Sequence, residues 1–305
     1  MSIFTGSATA VCTPFTPEGA FCPHTYERFI RWQGQQGTDA IVSCGTTGEA
    51  STLTTEEHIE VVRTAVLAAK AAGEARSRPL PVVAGAGGNH TAKDIKMARA
   101  LQQAGADALM FVTPYYNKTS QRGLVEHYTA LARAVDIPII VYNIPGRTGL
   151  NLQAATLAML AKVPNIVGIK EASGDMGQVA EMAERCGPDF AIYSGNDDYI
   201  LPILSYGGRG VISTIANIIP DRVHDMVGQF RAGNLEAARA LQLGILPLVR
   251  QLFADINPMP VKAALNMLGF DMGRCRAPLT TIDPALAAGL RQALTDYGVD
   301  MVPQA

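Results

Sequence analysis

The chain has 305 residues, of which 48% are apolar and 17% are charged, and its formal net charge is −2. This composition supports a large folded core and is too apolar for a disordered chain. It lacks the excess of Lys and Arg that a nucleic-acid-binding surface needs, and no apolar run approaches the ~20 residues of a membrane-spanning helix. We therefore predict a globular protein with neither nucleic acid nor a membrane as its partner.

The first residues and the cysteines predict the cellular compartment. The segment MSIFTGSATAVCTPF has no Lys or Arg ahead of its apolar stretch, unlike a signal peptide. The chain has 5 cysteines, an odd number, and no two of them form a CxxC motif. We therefore expect a cytoplasmic protein with reduced, mostly buried thiols.

Short apolar segments rich in β-branched residues recur along the chain, separated by stretches with helical spacing. Because they are apolar almost throughout, they predict parallel strands that are covered on both faces. Eight successive strand–helix units favour a closed (β/α)8 TIM barrel, an α/β fold, over a doubly wound sheet. The predicted strands are 6–13, 39–45, 80–85, 106–114, 138–145, 165–172, 190–195 and 210–217.

After about residue 220 the strand pattern ends and a helical C-terminal appendage is predicted. We interpret the first helix of this region as the last barrel helix and the next three as the appendage, which divides the chain into domains 1–232 and 233–305. The sequence LGILPLVRQLF is too apolar for a lone surface helix, so we expect it to pack on the barrel or on another subunit. The four predicted helices are 221–231, 235–253, 260–268 and 284–297.

Lys170 ends the sixth predicted strand, whereas the other lysines lie in helix-like or loop segments. Active residues of such barrels lie where strands end, and burial there would lower the pKa of the lysine. The resulting neutral amine could attack a ketone to form a Schiff base. An interior lysine paired with a carboxylate, such as Glu171, explains the position equally well.

The alternation of strand side chains predicts which residues accompany Lys170. Residues two apart share a face, so Ile166, Gly168 and Lys170 should point into the barrel. Val167 and Ile169 should then point outward. The glycine on the inner face would leave room for the ammonium.

Tyr142 and Thr46 strengthen the catalytic interpretation. Tyr142 ends the fifth strand on the face of Ile140, next to the sixth strand, and Thr46 follows the second strand in GTTGE. A phenol aligned by a threonine hydroxyl can relay the protons that Schiff-base formation requires. The alternatives are a barrel tyrosine bonded to backbone and, for Thr46 and Thr47, helix caps.

Arg147 and the remaining loops narrow the substrate class. Arg147 lies at the same rim and suits bidentate capture of a carboxylate, although a surface salt bridge is the common alternative.

The five histidines form no HxH or HExxH pattern, which disfavours a metal-dependent aldolase, so no metal site is predicted. The loops after strands seven and eight lack a glycine-rich phosphate cradle, which disfavours a phosphorylated substrate.

Four motifs occur in order on strands two, four, five and six: GTTGE, TPYYN, YNIPGRTG and GIKEAS. With these motifs the chain resembles the pyruvate-dependent class I aldolase superfamily of N-acetylneuraminate lyase, and within it most closely the dihydrodipicolinate synthase family. The resemblance extends over nearly the whole chain through AGAGGNHTA, SGNDD, GVISTIAN and NPMPVKAAL.

The resemblance implies a lyase that condenses pyruvate with L-aspartate-4-semialdehyde to 4-hydroxy-tetrahydrodipicolinate, in lysine and diaminopimelate biosynthesis. Lys170 would form the imine with pyruvate, so that no further cofactor is needed. Tyr142 would relay protons, and Thr46 would link it to Tyr116 of a neighbouring subunit. The implied assembly is a homotetramer, built as a dimer of tight dimers.

The resemblance also assigns binding residues and leaves alternatives. Thr47 would bind the carboxylate of pyruvate, Arg147 that of aspartate semialdehyde, and Gly195 and Ile212 would lie near the pyruvate carbonyl. A related aldolase that cleaves a 2-keto-3-deoxy sugar acid or 4-hydroxy-2-oxoglutarate is the nearest alternative. A non-catalytic keto-acid sensor is the second, although a sensor needs no proton relay.

The regulatory site of lysine-inhibited relatives is altered in this chain. Lys93 stands where those relatives have a glutamate, and Thr55 stands in place of a histidine. Because a cation would face the ammonium of lysine, we expect weak inhibition or none. The alternative is that Lys93 turns into solvent and the pocket still binds. The corresponding positions are Ala50, Ser51, Thr55, His58, Asn89, Lys93 and Tyr115.

Overall fold

The structure is a computed structural model that describes residues 2–302. Eight parallel strands close into a barrel in chain order, with the first strand paired to both the second and the eighth. The predicted (β/α)8 barrel is thus confirmed, and every strand falls within its predicted segment. The strands are β1 (Gly6–Ala10), β2 (Ala40–Ser43), β3 (Val82–Gly85), β4 (Ala108–Val112), β5 (Ile139–Asn143), β6 (Ile166–Glu171), β7 (Ala191–Ser194) and β8 (Gly210–Ser213).

Helices cover the outside of the barrel. A capping box begins α2: the Thr54 hydroxyl accepts from the Glu57 N–H, and the Glu57 carboxylate accepts from the Thr54 N–H. The barrel helices are α1 (Pro23–Gln35), α2 (Thr55–Ala75), α3 (Thr91–Gln103), α4 (Gln121–Ala132), α5 (Pro145–Thr148), α6 (Ala154–Leu160), α7 (Met176–Cys186), α8 (Ile200–Ser205) and α9 (Pro220–Arg231).

Three further helices form the predicted C-terminal appendage: α10 (Leu235–Leu252), α11 (Met259–Met267) and α12 (Pro284–Tyr297). The division of the chain at residue 232 stays a prediction. Helix α10 packs against both α9 and α12, as expected from its apolar sequence. In the part of the chain that the structure describes, no helix is long and apolar enough to cross a membrane.

The five cysteines are unpaired in this structure. Cys12 and Cys44 are buried, while Cys22, Cys186 and Cys275 are partly exposed. The expected burial therefore holds fully for the first two thiols only.

Two apolar layers lie on the two faces of the strands. Ile140 and Tyr142 belong to the cluster inside the barrel, whereas Ile139 and Val141 pack between the strands and the helices. The alternation predicted for the fifth strand is therefore confirmed. It places the Tyr142 side chain inside the barrel.

The face predicted for Ile166 is wrong, because β6 contains a bulge. Ile139 pairs with Ile166, but the next residue of β5, Ile140, pairs with Gly168, so Val167 is an extra residue. A bulge reverses the alternation of the residues on either side of it. Ile166 therefore packs in the outer layer. Beyond the bulge the alternation agrees with the prediction: Ile169 packs in the outer layer, and Lys170 pairs with Tyr142.

A buried ion pair fastens the appendage to the loop after β2. Lys262 of α11 is 2% exposed, and its Nζ lies 2.7 Å from Oε1 of Glu49, the last residue of GTTGE. The backbone N–H of Arg276 donates to the other carboxylate oxygen at 2.8 Å. The Arg276 guanidinium also forms two hydrogen bonds with Glu57, of 2.8 and 2.6 Å. Removing one partner of a buried ion pair typically costs about 3–5 kcal/mol, because the other charge is left buried without compensation. The burial of Glu49 and that of Lys262 therefore depend on each other.

Candidate active site

A cavity of about 660 Å³ opens at the carboxyl ends of the barrel strands. Thr46, Tyr142 and Arg147, all predicted site residues, belong to its lining. Residues 256–258 of the appendage close one side of it. The site is therefore built jointly from barrel loops and from the C-terminal region.

Lys170 lies on the inner face of β6, and its side chain is shielded from solvent. The residue is 6% exposed, and its Nζ lies 4.4 Å from the centroid of the Tyr142 ring. Glu171, its predicted alternative partner, instead accepts hydrogen bonds from Asn143 Nδ2 at 3.0 Å and from Ser173 N at 2.7 Å. None of the ion pairs within residues 2–302 involves Lys170.

The surroundings of Lys170 favour the neutral amine. Burial lowers the pKa of Lys170 to about 8, while the charge of Asp197 opposes this change and that of Arg147 adds to it. At neutral pH a substantial minority of the amines is therefore unprotonated, far more than for an exposed lysine. This supports the predicted role as a nucleophile over that of a structural ion-pair partner.

Tyr142 remains a proton donor at neutral pH. The residue is 5% exposed, and burial raises its pKa to about 12, although the charge of Arg147 and the hydroxyl of Thr46 oppose this rise. Thr46 therefore lies close enough to influence the phenol, and its role in a relay stays a prediction. The phenol lies at the register position opposite Lys170, where it can exchange protons with groups bound to the amine.

Two of the predicted carboxylate-binding residues meet at Asn257, in the loop before α11. The Asn257 side-chain amide donates to Thr47 Oγ1 at 3.0 Å, and its backbone carbonyl accepts from Arg147 Nη2 at 3.4 Å. Thr47 thus receives a hydrogen bond from the appendage rather than capping a helix. The sequence analysis did not identify Asn257, although it lies in the NPMPVKAAL stretch that carries part of the resemblance.

Gly195 and Ile212 lie next to the groups predicted to act on a ketone. A Cβ atom at Gly195 would lie 2.7 Å from Ala172 Cβ and 3.2 Å from Lys170 Cε, so a larger residue would crowd both. Ile212 is fully buried in the inner cluster that also contains Tyr142. These positions agree with the predicted proximity to the reacting carbonyl.

Asp197, in the SGNDD stretch after β7, is a buried carboxylate to which the sequence analysis gave no role. Its Oδ2 accepts from the backbone N–H groups of Thr214 at 3.1 Å and Ile215 at 2.8 Å. Burial raises the pKa of Asp197, and the hydrogen bonds and the Lys170 charge oppose this rise. The carboxylate is therefore held in place, where its charge favours the ammonium form of Lys170.

Tyr116 is not beside Tyr142 in the single chain. It is 91% exposed and has a positive φ of 69°. Tyr115 is 40% exposed and lines the cavity. The position of Tyr116 suits a residue that completes a site in another subunit.

All seven positions of the predicted regulatory pocket line the same cavity. His58 Nε2 is bonded to the carbonyl of Gly85 at 2.7 Å, and the Asn89 amide donates to the carbonyl of Tyr115 at 3.2 Å. Lys93 is exposed at the first turn of α3. The seven residues are Ala50, Ser51, Thr55, His58, Asn89, Lys93 and Tyr115.

Asp94, next to Lys93, is a lining residue that the sequence analysis missed. It is 5% exposed, and one of its carboxylate oxygens is buried without a hydrogen-bond partner in the described residues. Burial raises the pKa of Asp94 to about 6. Within residues 2–302, no three His, Cys, Asp or Glu side chains form a group suited to hold a metal ion.

Comparisons with known proteins agree with the resemblance predicted from the motifs. The model of the dihydrodipicolinate synthetase family matches residues 3–296. A 4-hydroxy-tetrahydrodipicolinate synthase from Caldicellulosiruptor bescii is 50% identical over 301 residues, 99% of each chain. The crystal structure of a dihydrodipicolinate synthase from Aquifex aeolicus gives a TM-score of 0.93 at 38% identity and covers 98% of this chain and 99% of its own. A DHDPS structure from Cyanidioschyzon merolae with lysine bound gives 0.93 at 39% identity, with the same coverage.

The depressed pKa of Lys170 makes its reactivity depend on pH in a defined way. Only the neutral amine reacts with cyanate, so carbamylation of Lys170 should rise with pH and level off above pH of about 8. Peptide mass spectrometry after brief labelling measures this. Asp197→Asn should shift the midpoint to lower pH, because the charge that favours the ammonium is removed. A midpoint near the ordinary lysine value of about 10.5 would contradict the assignment.

Proposed function

The chain belongs to the dihydrodipicolinate synthetase family, and on this premise we propose that it condenses pyruvate with L-aspartate-4-semialdehyde through a Schiff base on Lys170. The product is 4-hydroxy-tetrahydrodipicolinate. The observation that carries the proposal is the buried lysine, with a pKa of about 8, directly beside the protonated phenol of Tyr142. Such a pair supplies a nucleophile and a proton donor to the same carbonyl.

The first half of the reaction joins pyruvate to the enzyme. The neutral amine of Lys170 attacks the ketone carbon and forms a carbinolamine, which loses water to give the protonated imine. Tyr142 donates the proton that the departing hydroxyl needs and recovers it through Thr46. The imine withdraws electrons from the neighbouring methyl group, so loss of a methyl proton gives an enamine. This chemistry uses no cofactor other than the imine itself.

The second half forms the carbon–carbon bond. The enamine carbon attacks the aldehyde of aspartate semialdehyde, whose carboxylate Arg147 binds, and the aldehyde oxygen takes up a proton. The substrate's own amine then attacks the imine carbon and displaces the Lys170 amine, which closes the ring. One water leaves in the whole cycle, and the lysine returns unchanged.

The binding roles are those that the family resemblance implies, and the contacts of each residue support them. The Thr47 hydroxyl binds the carboxylate of pyruvate, and its position is fixed by Asn257. Arg147 is anchored to the carbonyl of the same residue and keeps further N–H donors for a second carboxylate. Gly195 leaves space beside the reacting carbon, and Ile212 supplies an apolar wall there.

Trapping the imine tests the proposal. Incubation with pyruvate and borohydride should reduce the imine to a stable amine and add one pyruvate-derived mass per chain, on the peptide that contains Lys170. The same protein should form product from pyruvate and aspartate semialdehyde, and it should not cleave 2-keto-3-deoxygluconate at a comparable rate. Lys170→Ala should lose the adduct and at least ~10³-fold in kcat.

The matched control is Lys162→Ala, which removes an exposed lysine outside the cavity. This variant should keep both the adduct and the activity. An adduct on another lysine would refute the catalytic role of Lys170. Faster turnover of the sugar acid than of aspartate semialdehyde would assign the chain to the related aldolases.

We further propose that two subunits complete each site, within a dimer of tight dimers. The support is the exposure of Tyr116 in the single chain, together with its place just beyond β4 at the cavity rim. In this arrangement the Tyr116 hydroxyl of one subunit extends the relay of Tyr142 and Thr46 in its neighbour. The exposed apolar rings of Tyr115 and Tyr116 are then covered by the partner.

Mixing two inactive variants tests this arrangement. A Tyr116→Phe subunit keeps Lys170 and receives an intact Tyr116 from a Lys170→Ala partner, so one site of the mixed dimer is complete. After subunit exchange, about a quarter of all sites should be complete and active. Random pairing makes half of the dimers mixed, and each mixed dimer has one complete site. If exchange is verified by mass spectrometry and activity does not recover, Tyr116 does not act across the interface.

We propose that lysine inhibits this enzyme weakly or not at all. Lys93 places a cation at the pocket, and two other lining groups, the His58 ring and the Asn89 amide, are already bonded to backbone carbonyls. Burial lowers the pKa of His58, so this ring is neutral at pH 7. At ~4 Å and an effective dielectric near 20, the change from an attractive glutamate to the repulsive Lys93 weakens the binding of a lysine ligand by more than tenfold. The buried Asp94 is the group that could offset this.

A lysine titration of initial rates measures the effect. Lys93→Glu should make the enzyme more sensitive to lysine, whereas Lys70→Glu, the same charge change on α2 outside the cavity, should not. Half-inhibition of the unmodified enzyme at submillimolar lysine would show that the charge argument is wrong. In that case, loss of inhibition in Asp94→Asn would identify the compensating carboxylate.

A further inference from the structure

Asn257 connects the appendage to the loop after β2 and to the loop after β5. It lies between α10 and α11, is 6% exposed, and lines the cavity. Its side-chain Nδ2 donates to Thr47 Oγ1 at 3.0 Å, and its backbone oxygen accepts from Arg147 Nη2 at 3.4 Å. A single residue thus contacts the group proposed for each substrate carboxylate.

The hydrogen bond to Thr47 determines which way that hydroxyl can act. A threonine hydroxyl has one proton and two acceptor positions. Because Thr47 Oγ1 accepts from the Asn257 amide, its own proton is free to point elsewhere. It can therefore donate to an anionic oxygen in the cavity, which is what binding of the pyruvate carboxylate requires.

The side chain of Asn257 makes one hydrogen bond among the described residues, the one to Thr47. Its Oδ1 is buried, and no described residue gives it a hydrogen bond. Within the described residues, the polar side chain therefore serves the contact with Thr47 and no other.

The segment that carries Asn257 is held in register with the Thr47 loop. Lys262, one turn into α11, is bonded to Glu49, which lies two residues after Thr47 in the same loop. The ion pair therefore holds the start of α11 against the loop that contains GTTGE. The Asn257–Thr47 hydrogen bond therefore has little freedom to rearrange.

We propose that Asn257 is a positioning residue for pyruvate: its amide orients the Thr47 hydroxyl as a donor to the pyruvate carboxylate. The inference rests on the proposed function, since it concerns how one of its substrates is held. It goes further by assigning a role in pyruvate affinity to the C-terminal appendage. The amide acts through Thr47 and does not itself contact the reacting atoms.

Asn257→Asp tests the direction of the hydrogen bond. A carboxylate cannot donate, so it would accept the Thr47 proton and would place a negative charge near the pyruvate carboxylate. The KM for pyruvate should rise at least ~10-fold, while kcat at saturating pyruvate changes much less. The KM for aspartate semialdehyde should also change less, because the backbone contact to Arg147 is retained.

A double-mutant cycle separates positioning from general damage. Asn257→Ala should raise the KM for pyruvate in the unmodified enzyme but have little further effect in a Thr47→Val background, where no hydroxyl remains to orient. The matched control is Asn266→Ala. Asn266 lies in the same appendage and bonds only its own region, the carbonyl of Gly273 at 3.0 Å and the N–H of Met272 at 2.6 Å. Its loss should leave the KM for pyruvate unchanged.

The outcomes are distinguishable from those for the proposed function. If the unmodified protein does not condense the two substrates, the function itself is wrong. If it does, an unchanged KM for pyruvate in a folded Asn257→Asp variant overturns the positioning role. Independent, multiplicative effects of Asn257→Ala and Thr47→Val on that KM would overturn it as well. If Asn257→Asp does not fold, the double-mutant cycle of Asn257→Ala and Thr47→Val decides whether Asn257 has the positioning role.

Discussion

The site depends on the burial of one amine inside a closed barrel. Lys170 is surrounded by apolar strands, and the described residues give it no ion-pair partner, so its charged form loses hydration without full compensation. This lowers the pKa of Lys170 to about 8 and makes the neutral nucleophile available. The same burial raises the pKa of Tyr142 and keeps the phenol protonated. One low-dielectric environment thus favours the neutral form of both groups.

The C-terminal appendage is part of the site rather than a separate attachment. Its Lys262 is buried against Glu49, and its Asn257 reaches Thr47 and Arg147. The GTTGE loop therefore carries two functions that depend on each other. Thr46 lines the cavity, and Thr47 beside it accepts a hydrogen bond from Asn257. Glu49 of the same loop is paired with Lys262 of the appendage.

The barrel and most of the site were predictable because parallel strands impose strong rules on sequence. Apolar segments predicted all eight strands, and alternation placed Tyr142 inside the barrel. Alternation failed at Ile166, because a bulge adds one residue without leaving a signal in an apolar strand. The roles of Lys170 and Tyr142 in the family required the resemblance, since each residue alone had an equally plausible structural explanation.

Contacts between distant segments were not predictable from the pattern. Glu49 and Lys262 are 213 residues apart, and each looks like an ordinary charged helix or loop residue until the fold buries both. Asn257 likewise gives no periodic signal. Asp94 gives no functional signal either, because an acidic residue in the first turn of a helix is common. These residues are identified by their burial and by their hydrogen bonds, which only the folded chain provides.

The central claim is that Lys170 and Tyr142 together convert pyruvate into an enamine, and proton exchange measures this most directly. In D₂O, without any aldehyde, the enzyme should replace the methyl protons of pyruvate with deuterium, which proton NMR follows as loss of the methyl signal. Lys170→Ala should exchange no faster than buffer, and Tyr142→Phe should exchange much more slowly than the unmodified enzyme. Exchange that persists in Lys170→Ala, or that never occurs in the unmodified enzyme, would contradict the account.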